Sequence, residues 1–155
     1  MLFLLFQLGK DRYALDAARV VEVVPLLELK KIPQAPNGFA GIFNYRGRPV
    51  PAIDLCQMTE GHAAAERLST RIILVNCSDA RGGQRLVGLI AEQATEILRK
   101  DAKDFVEPGF KFGSAPYLGP ILLDPKGAIQ WINEQHLLSE QLRELVFSEP
   151  PQLTA

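Results

Sequence analysis

The sequence predicts an all-β protein made of two small barrels that pack together and are followed by a C-terminal helix. Its apolar segments are short and are separated by glycine and proline, which is typical of small barrels rather than of a parallel sheet. The order of predicted elements occurs twice along the chain. With 155 residues, each half is too small to bury a core alone, so the two halves are expected to share apolar surface.

The first half begins with a strand at residues 3–8, a turn at Gly9 and a strand at residues 12–15. Residues 36–55 follow, with an apolar strand, a tight turn at residues 45–47 and a second apolar strand. Gly47 supplies the positive φ that such a turn needs. Pro49 and Pro51 cannot donate to a ladder, so their strand is expected at an edge or beside a bulge. Asp54 is expected to cap a helix that begins near residue 55.

The second half repeats this plan. Residues 71–77 and 85–90 predict a hairpin, and residues 118–132 predict another that turns at residues 125–127. Residues 13–24 align with residues 87–98 at a shift of 74 positions, with identities at Leu15, Ala17 and Glu22. The predicted organisation is therefore one domain over residues 1–147. Its first barrel covers about residues 12–70 and its second about residues 71–132, and the N-terminal strand is a candidate to be shared.

The ends and the connection between the halves are less patterned. Residues 59–69 predict a frayed helix or a mobile connection. Leucines at helical spacing predict a helix over residues 133–147, for which Asn133 or Ser139 is the candidate cap. Residues 148–155 predict a flexible tail.

Composition argues against several classes of function. A net charge of −1 gives no reason to expect nucleic acid as a partner. The apolar N-terminus has no signal-peptide flanks and is too short to span a bilayer, so no membrane insertion is expected. Cys56 and Cys77 have neither metal nor redox spacing and predict reduced, buried thiols in a cytoplasmic protein. His62 and His136 have no catalytic motif around them. We therefore expect no enzymatic activity, no cofactor and no metal site.

Two charged residues stand out as candidates for recognition. Arg46 lies at the predicted hairpin tip, where its guanidinium can reach a partner or can pair with Asp54 across the hairpin. Glu22 interrupts a run of valines, and strand alternation places it on one face with Val20 and Val24. It can be a solvated residue, half of an ion pair or a partner contact.

Three segments together resemble the CheW-like domain of bacterial chemosensory systems. They read YALDAARVVEVV, KKIPQAPNGFAGIFNYRGRPVPAIDL and RLVGLIAEQATEIL, and the resemblance extends over about residues 3–140. It implies two intertwined, five-stranded SH3-like barrels. It also implies a cytoplasmic adaptor that joins the cytoplasmic tip of a methyl-accepting chemoreceptor to the regulatory domain of a CheA-type histidine kinase, in an array-type assembly.

The resemblance further implies that the receptor contacts the groove between the barrels. The residues that match the family's contacts are Val20, Glu22, Gly41, Ile42, Asn44, Arg46 and Gly88. Their alternative roles are structural, with glycines that allow close backbone approach and apolar residues that belong to the core.

The chain also departs from the family pattern. Tyr45 stands where leucine is common, and Glu92 where aspartate is common. As a whole it looks closer to the adaptors of the Wsp surface-sensing type, whose output is a diguanylate cyclase. The alternative function is a regulatory module that binds a small ligand in the groove between the barrels.

Overall fold

A computed structural model of the chain describes residues 1–111 and 113–148. Within them, nine strands and two α-helices follow one another. The strands are β1 (Leu2–Leu8), β2 (Asp11–Asp16), β3 (Val20–Pro25), β4 (Phe39–Tyr45), β5 (Arg48–Asp54), β6 (Arg71–Ser78), β7 (Gln84–Arg99), β8 (Leu118–Asp124) and β9 (Gly127–Ile132). The helices are α1 (Leu55–Glu60) and α2 (Glu140–Phe147), with single 3₁₀ turns at Ala17–Arg19, Ala102–Asp104 and Glu134–His136.

The strands form two five-stranded barrels that share β7. Barrel A consists of β1, β2, β8, β9 and the C-terminal half of β7. Barrel B consists of β3, β4, β5, β6 and the N-terminal half of β7. Each barrel contains one parallel pair, β2 with β9 and β5 with β7, and its other pairs are antiparallel. The predicted fold class is confirmed.

The barrels do not follow the predicted division at residues 70 and 71. The strand β3, from the first half of the chain, pairs with β6, so that Val23 faces Ile73. In return, the second half of β7 pairs with β1, so that Leu4 faces Ile97. Gln93 adopts a left-handed φ of 50° where the register shifts, and this bend lets one strand pass from barrel B to barrel A. The two halves have thus exchanged equivalent strands.

The barrels close in the same way, which supports the internal repeat. Lys30 forms both backbone hydrogen bonds of a bridge with Ile42, at 2.8 and 2.9 Å. Val106 forms the same pair of bonds with Ile121, also at 2.8 and 2.9 Å. In each barrel, the segment that follows the exchanged strand (β3 or β7) forms this bridge with the first strand of the next hairpin (β4 or β8).

Strand β1 is buried on both faces over residues 3–6, which explains the apolar run before Gln7. Phe3 and Leu5 point into barrel A, where they pack with Phe105 and Ile129. The alternate residues Leu4, Phe6 and Leu8 point to a larger core between the barrels. This core also takes alternate residues of β6 and the apolar face of α2, and its members include Leu4, Phe6, Leu8, Ile73, Val75, Leu142 and Val146. A strand with two buried faces shows no polar alternation.

The C-terminal segment forms two short helices instead of the single predicted one. Asn133 caps the 3₁₀ turn by accepting from the amide of Gln135 at 3.0 Å. Ser139 caps α2 by accepting from the amide of Leu142 at 3.2 Å. Both candidate caps are therefore used, because the chain changes direction between them. Residues 149–155 of the predicted tail lie outside the described residues.

No helix in the described part of the chain is long and apolar enough to cross a membrane.

Candidate functional site

The β4–β5 hairpin turns through two residues with positive φ. Arg46 has a φ of 51° and Gly47 a φ of 81°, and the side chain of Asn44 accepts from the amide of Gly47 at 2.8 Å. The expected role of Gly47 is confirmed, whereas the left-handed backbone of Arg46 was not anticipated. In the described part of the chain, the first four residues of β5 pair only with β4. Pro49 and Pro51, which have no N–H group to donate, therefore lie where no second strand requires a donor.

The turn brings three side chains together in what we call the tip cluster: Glu22, Tyr45 and Arg46. The Tyr45 hydroxyl donates a hydrogen bond to Glu22 Oε2. Arg46 Nη2 lies 3.4 Å from the same oxygen, and the guanidinium carbon lies 5.3 Å from the centre of the Tyr45 ring. The side chains of Arg46 and Glu22 are 75% and 36% exposed. The hydrogen bond to Glu22 is the main cause that raises the pKa of Tyr45.

Arg46 therefore pairs with Glu22 and not with Asp54, which was the structural alternative. Asp54 is buried and caps α1 by accepting from the amides of Cys56 and Gln57, at 3.0 and 3.2 Å. Its second oxygen accepts from the amide of Ala64 at 2.9 Å. The predicted cap is confirmed, and the same carboxylate also fixes the segment that follows α1.

A bulge changes the faces that β3 was predicted to present. The register with β6 shifts between Val20 and Glu22. As a result Val20 and Val23 both pack against the core between the barrels, while Val24 packs inside barrel B. The predicted alternation, with Val20 and Glu22 on one face, is wrong because the bulge at Val21 adds one residue.

The start of β3 lines a cleft where the two barrels meet. The cleft encloses about 420 Å³. Its walls come from the 3₁₀ turn before β3, the facing ends of β6 and β7, and the segment after β9. The lining residues include Val20, Val21, Ser78, Gln84 and Gln135. Glu22 is the residue of β3 that follows Val21, so the tip cluster begins one residue beyond the lining of this cleft.

The seven predicted contact residues divide into exposed and buried positions. Asn44 and Arg46 are exposed, and Val20, Glu22 and Ile42 are half-buried. Gly41 and Gly88 are buried.

The two glycines occupy positions where close packing excludes a side chain. A Cβ atom on Gly41 would lie 2.7 Å from the carbonyl oxygen of Lys30 and would disturb the bridge that closes barrel B. A Cβ atom on Gly88 would lie 2.6 Å from Ile72 and 2.7 Å from Phe43, inside the core of barrel B. Both contacts give the glycines a packing role.

Glu92 links three segments of the chain, a role that sequence reasoning missed. Its Oε1 accepts from the Cys56 thiol at 3.1 Å and from the Gly9 amide at 3.3 Å. Its Oε2 accepts from the Ala65 amide at 3.1 Å. Burial would raise the pKa of Glu92, but these hydrogen bonds and the charge of Arg67 outweigh it and lower the pKa. The connection at residues 59–69 is consequently anchored. In the sequence, the one feature that drew attention to Glu92 was that aspartate is common at its position in the family.

Both cysteines are buried free thiols with raised pKa values, in agreement with the prediction of unreactive thiols. Burial raises the pKa of Cys56 to about 12, and the hydrogen bond to Glu92 adds to the effect. Burial also raises the pKa of Cys77 to about 11, with a contribution from the charge of Glu134. In the described residues no group of three histidine, cysteine or acidic side chains could hold a metal ion.

We expect the free energy of unfolding to be constant up to about pH 9 and to fall as the pH rises towards 11. The unfolded chain releases each thiol proton near pH 9, whereas the folded chain retains it to about pH 11 or 12. The slope should approach about 1.4 kcal/mol per pH unit for each thiol. Urea unfolding under reducing conditions at pH 8, 9, 10 and 11 measures this.

A variant with Cys56→Ala and Cys77→Ala is the control. It should lose the fall between pH 9 and 10 and keep a fall above pH 10, because burial also raises the pKa of Tyr13 to about 12. Unfolding free energies of the wild-type protein that do not change between pH 8 and 11 would contradict the expectation.

Together the fold and the site define a double-barrel β protein that exposes a polar cluster at a hairpin tip and has a cleft between its barrels. A family model described as "CheW-like domain" matches residues 2–142. The chain belongs to the CheW-like domain family.

Individual relatives agree with this assignment. The chain is 29% identical over 147 residues to the chemotaxis protein CheW of Klebsiella aerogenes, which covers 95% of this chain and 82% of that protein. It is 28% identical over 97 residues to the chemotaxis protein CheW of Helicobacter pylori, which covers 63% of this chain and 56% of that protein. Among solved structures, the scaffolding protein TtCheW from Thermoanaerobacter tengcongensis is similar with a TM-score of 0.73 and 27% identity, over 86% of this chain and 84% of that one.

Proposed function

We propose that this protein is a non-enzymatic adaptor that couples methyl-accepting chemoreceptors to a CheA-type histidine kinase in the cytoplasm. Membership of the CheW-like family and the structural similarity to a scaffolding protein support this function. The observation that carries the proposal for the receptor site is the tip cluster, in which an exposed arginine at a hairpin tip contacts Glu22, the neighbour of the cleft residue Val21 on β3.

An adaptor of this kind works by holding two partners on one rigid body. Two modest contacts raise the local concentration of the kinase near the receptor to roughly millimolar values. The shared core between the barrels supports such rigidity, because it ties β1 of barrel A to β6 of barrel B. Assembly into arrays and an output through a diguanylate cyclase stay predictions.

For the receptor contact we propose the exposed and half-buried members of the predicted set: Val20, Glu22, Ile42, Asn44 and Arg46. The buried glycines Gly41 and Gly88 act through packing in this proposal. Arg46 is the member with the greatest reach, since its guanidinium is largely exposed and can bind a planar acceptor with two parallel hydrogen bonds.

Replacing Arg46 with alanine should weaken binding of a soluble receptor cytoplasmic fragment about tenfold, as is typical of a central arginine in an interface. Titration calorimetry with the purified protein measures the dissociation constant, and urea unfolding shows whether the variant is folded. Binding of the kinase regulatory domain is measured in parallel on the same samples.

Lys126→Ala is the matched control, because Lys126 is an exposed cation at the corresponding hairpin tip of barrel A. It should leave receptor binding unchanged. A folded Arg46→Ala variant with wild-type affinity would remove Arg46 from the site. A wild-type protein that binds neither the receptor fragment nor the kinase domain would refute the adaptor function.

A further inference from the structure

Two donors of the tip cluster compete for one carboxylate oxygen. The Tyr45 hydroxyl and Arg46 Nη2 both approach Glu22 Oε2, and the guanidinium contact is long at 3.4 Å. Within the described residues, Glu22 is the only hydrogen-bond partner of the Arg46 guanidinium, and the Arg46 side chain is 75% exposed. The phenol thus occupies an acceptor site of the oxygen nearest to Arg46, and the long guanidinium contact leaves most of the arginine's donors available.

Tyr45 also limits where the guanidinium can go. The guanidinium carbon lies 5.3 Å from the ring centre, within the distance at which a cation is attracted to an aromatic face. A side chain that is already restricted loses less conformational entropy when a partner binds.

The charges around the tip define the chemistry of the group that would bind there. Arg48 follows on the same hairpin, and Lys30 is bridged to Ile42 on β4. Both cations are exposed, and Glu22, the carboxylate of the tip cluster, already accepts the phenol hydrogen bond. The surface therefore complements an acidic group.

We propose that Tyr45 is a positioning residue that keeps the Arg46 guanidinium free to bind a carboxylate of the receptor. The inference rests on the proposed receptor contact and adds its chemistry. Without the hydroxyl, Glu22 would draw Arg46 from its present long contact of 3.4 Å into a close charge-assisted pair and withdraw it from the partner. The raised pKa of Tyr45 agrees with a protonated phenol that donates to Glu22.

A double-mutant cycle with Tyr45→Phe and Glu22→Gln tests this proposal. Tyr45→Phe keeps the ring and removes only the hydroxyl. It should weaken binding of the receptor fragment about fivefold, in the range of an exposed ion pair. In the Glu22→Gln background the same change should alter affinity less than twofold, because the competing charge is gone. Tyr13→Phe, the same change on β2, is the control and should leave affinity unchanged.

Two further measurements give results that a merely structural role would not produce. In nitrogen-15 NMR spectra of the free protein, Tyr45→Phe should slow hydrogen exchange of the Arg46 Nε–H, because Glu22 then binds the guanidinium. Wild-type affinity for the receptor fragment should fall as NaCl rises, and Arg46→Ala should reduce this dependence.

Three results would overturn the proposal: an unchanged Arg46 signal in Tyr45→Phe, an equal loss of affinity in both Glu22 backgrounds, or binding that is insensitive to salt. If the wild-type protein binds neither the receptor fragment nor the kinase domain, the proposed function fails, and the NMR measurement still decides whether Tyr45 acts on Arg46.

Discussion

Replacing Gly88 with valine should destabilise the protein by about 3 kcal/mol or more, because the new side chain has no space in the core of barrel B. Even a single Cβ atom would lie 2.6 Å from Ile72 and 2.7 Å from Phe43. Both neighbours are themselves buried, so neither can move away without disturbing further packing. Urea unfolding followed by circular dichroism measures the change.

Gly113→Val is the matched control, since a Cβ atom at Gly113 would meet no atom of the described residues within 4 Å and its φ is not positive. It should change stability by less than about 0.5 kcal/mol. The experiment also separates the two roles considered for Gly88. A Gly88→Val protein of wild-type stability that no longer binds the receptor fragment would make Gly88 a contact residue and would contradict its packing role.

Replacing Phe3 with alanine should cost about 3–5 kcal/mol, the usual range for removing a buried aromatic ring. The ring packs edge-on against Trp131, with centroids 4.8 Å apart, and lies 5.0 Å from the ring of Phe105. The loss should affect both barrels together, because the exchanged strands and the shared core connect them.

Two probes test this cooperativity. Fluorescence of Trp131 reports on barrel A, and hydrogen exchange at the Ile72 amide reports on barrel B. Both should give the same unfolding midpoint in the wild-type protein, and both should shift by the same amount in Phe3→Ala. Leu123→Ala is the control, since Leu123 is 79% exposed on β8 of barrel A. A barrel B transition that does not change in Phe3→Ala would show that the barrels unfold independently.

Local features of the candidate site could be predicted from the sequence. The hairpin, its turn at Gly47 and the exposed arginine follow from residue types and spacing. The resemblance added Glu22 to the same surface, and the structure places the two side chains in contact. The contact of Tyr45 with Glu22 could not be predicted, because it depends on how β3 lies beside the hairpin in the folded barrel.

What the sequence left open has one physical cause. Gly88 is predicted as a receptor contact, with close backbone approach as its alternative role, and only the fold shows that Phe43, which lies 45 positions away along the chain, fills the space beside it. The bulge at Val21 and the bend at Gln93 shift strand registers without a glycine or proline to mark them. Such contacts join segments that are distant along the chain, so they cannot be predicted from the residues next to them in the sequence.

The sequence by itself determined most of the strands, where the hairpins turn and which side chains cap the helices, although the strand predicted at residues 85–90 extends to Arg99. Apolar periodicity, glycine at positive φ and the side chains of Asp54, Asn133 and Ser139 are local properties, so local reasoning found them. Only the tertiary structure decided which strands pair. The exchanged strands, β3 and the second half of β7, are of similar length and pattern, so either pairing satisfies the local rules. In the exchanged arrangement that the structure shows, residues of β1 and β6 pack into one core between the barrels.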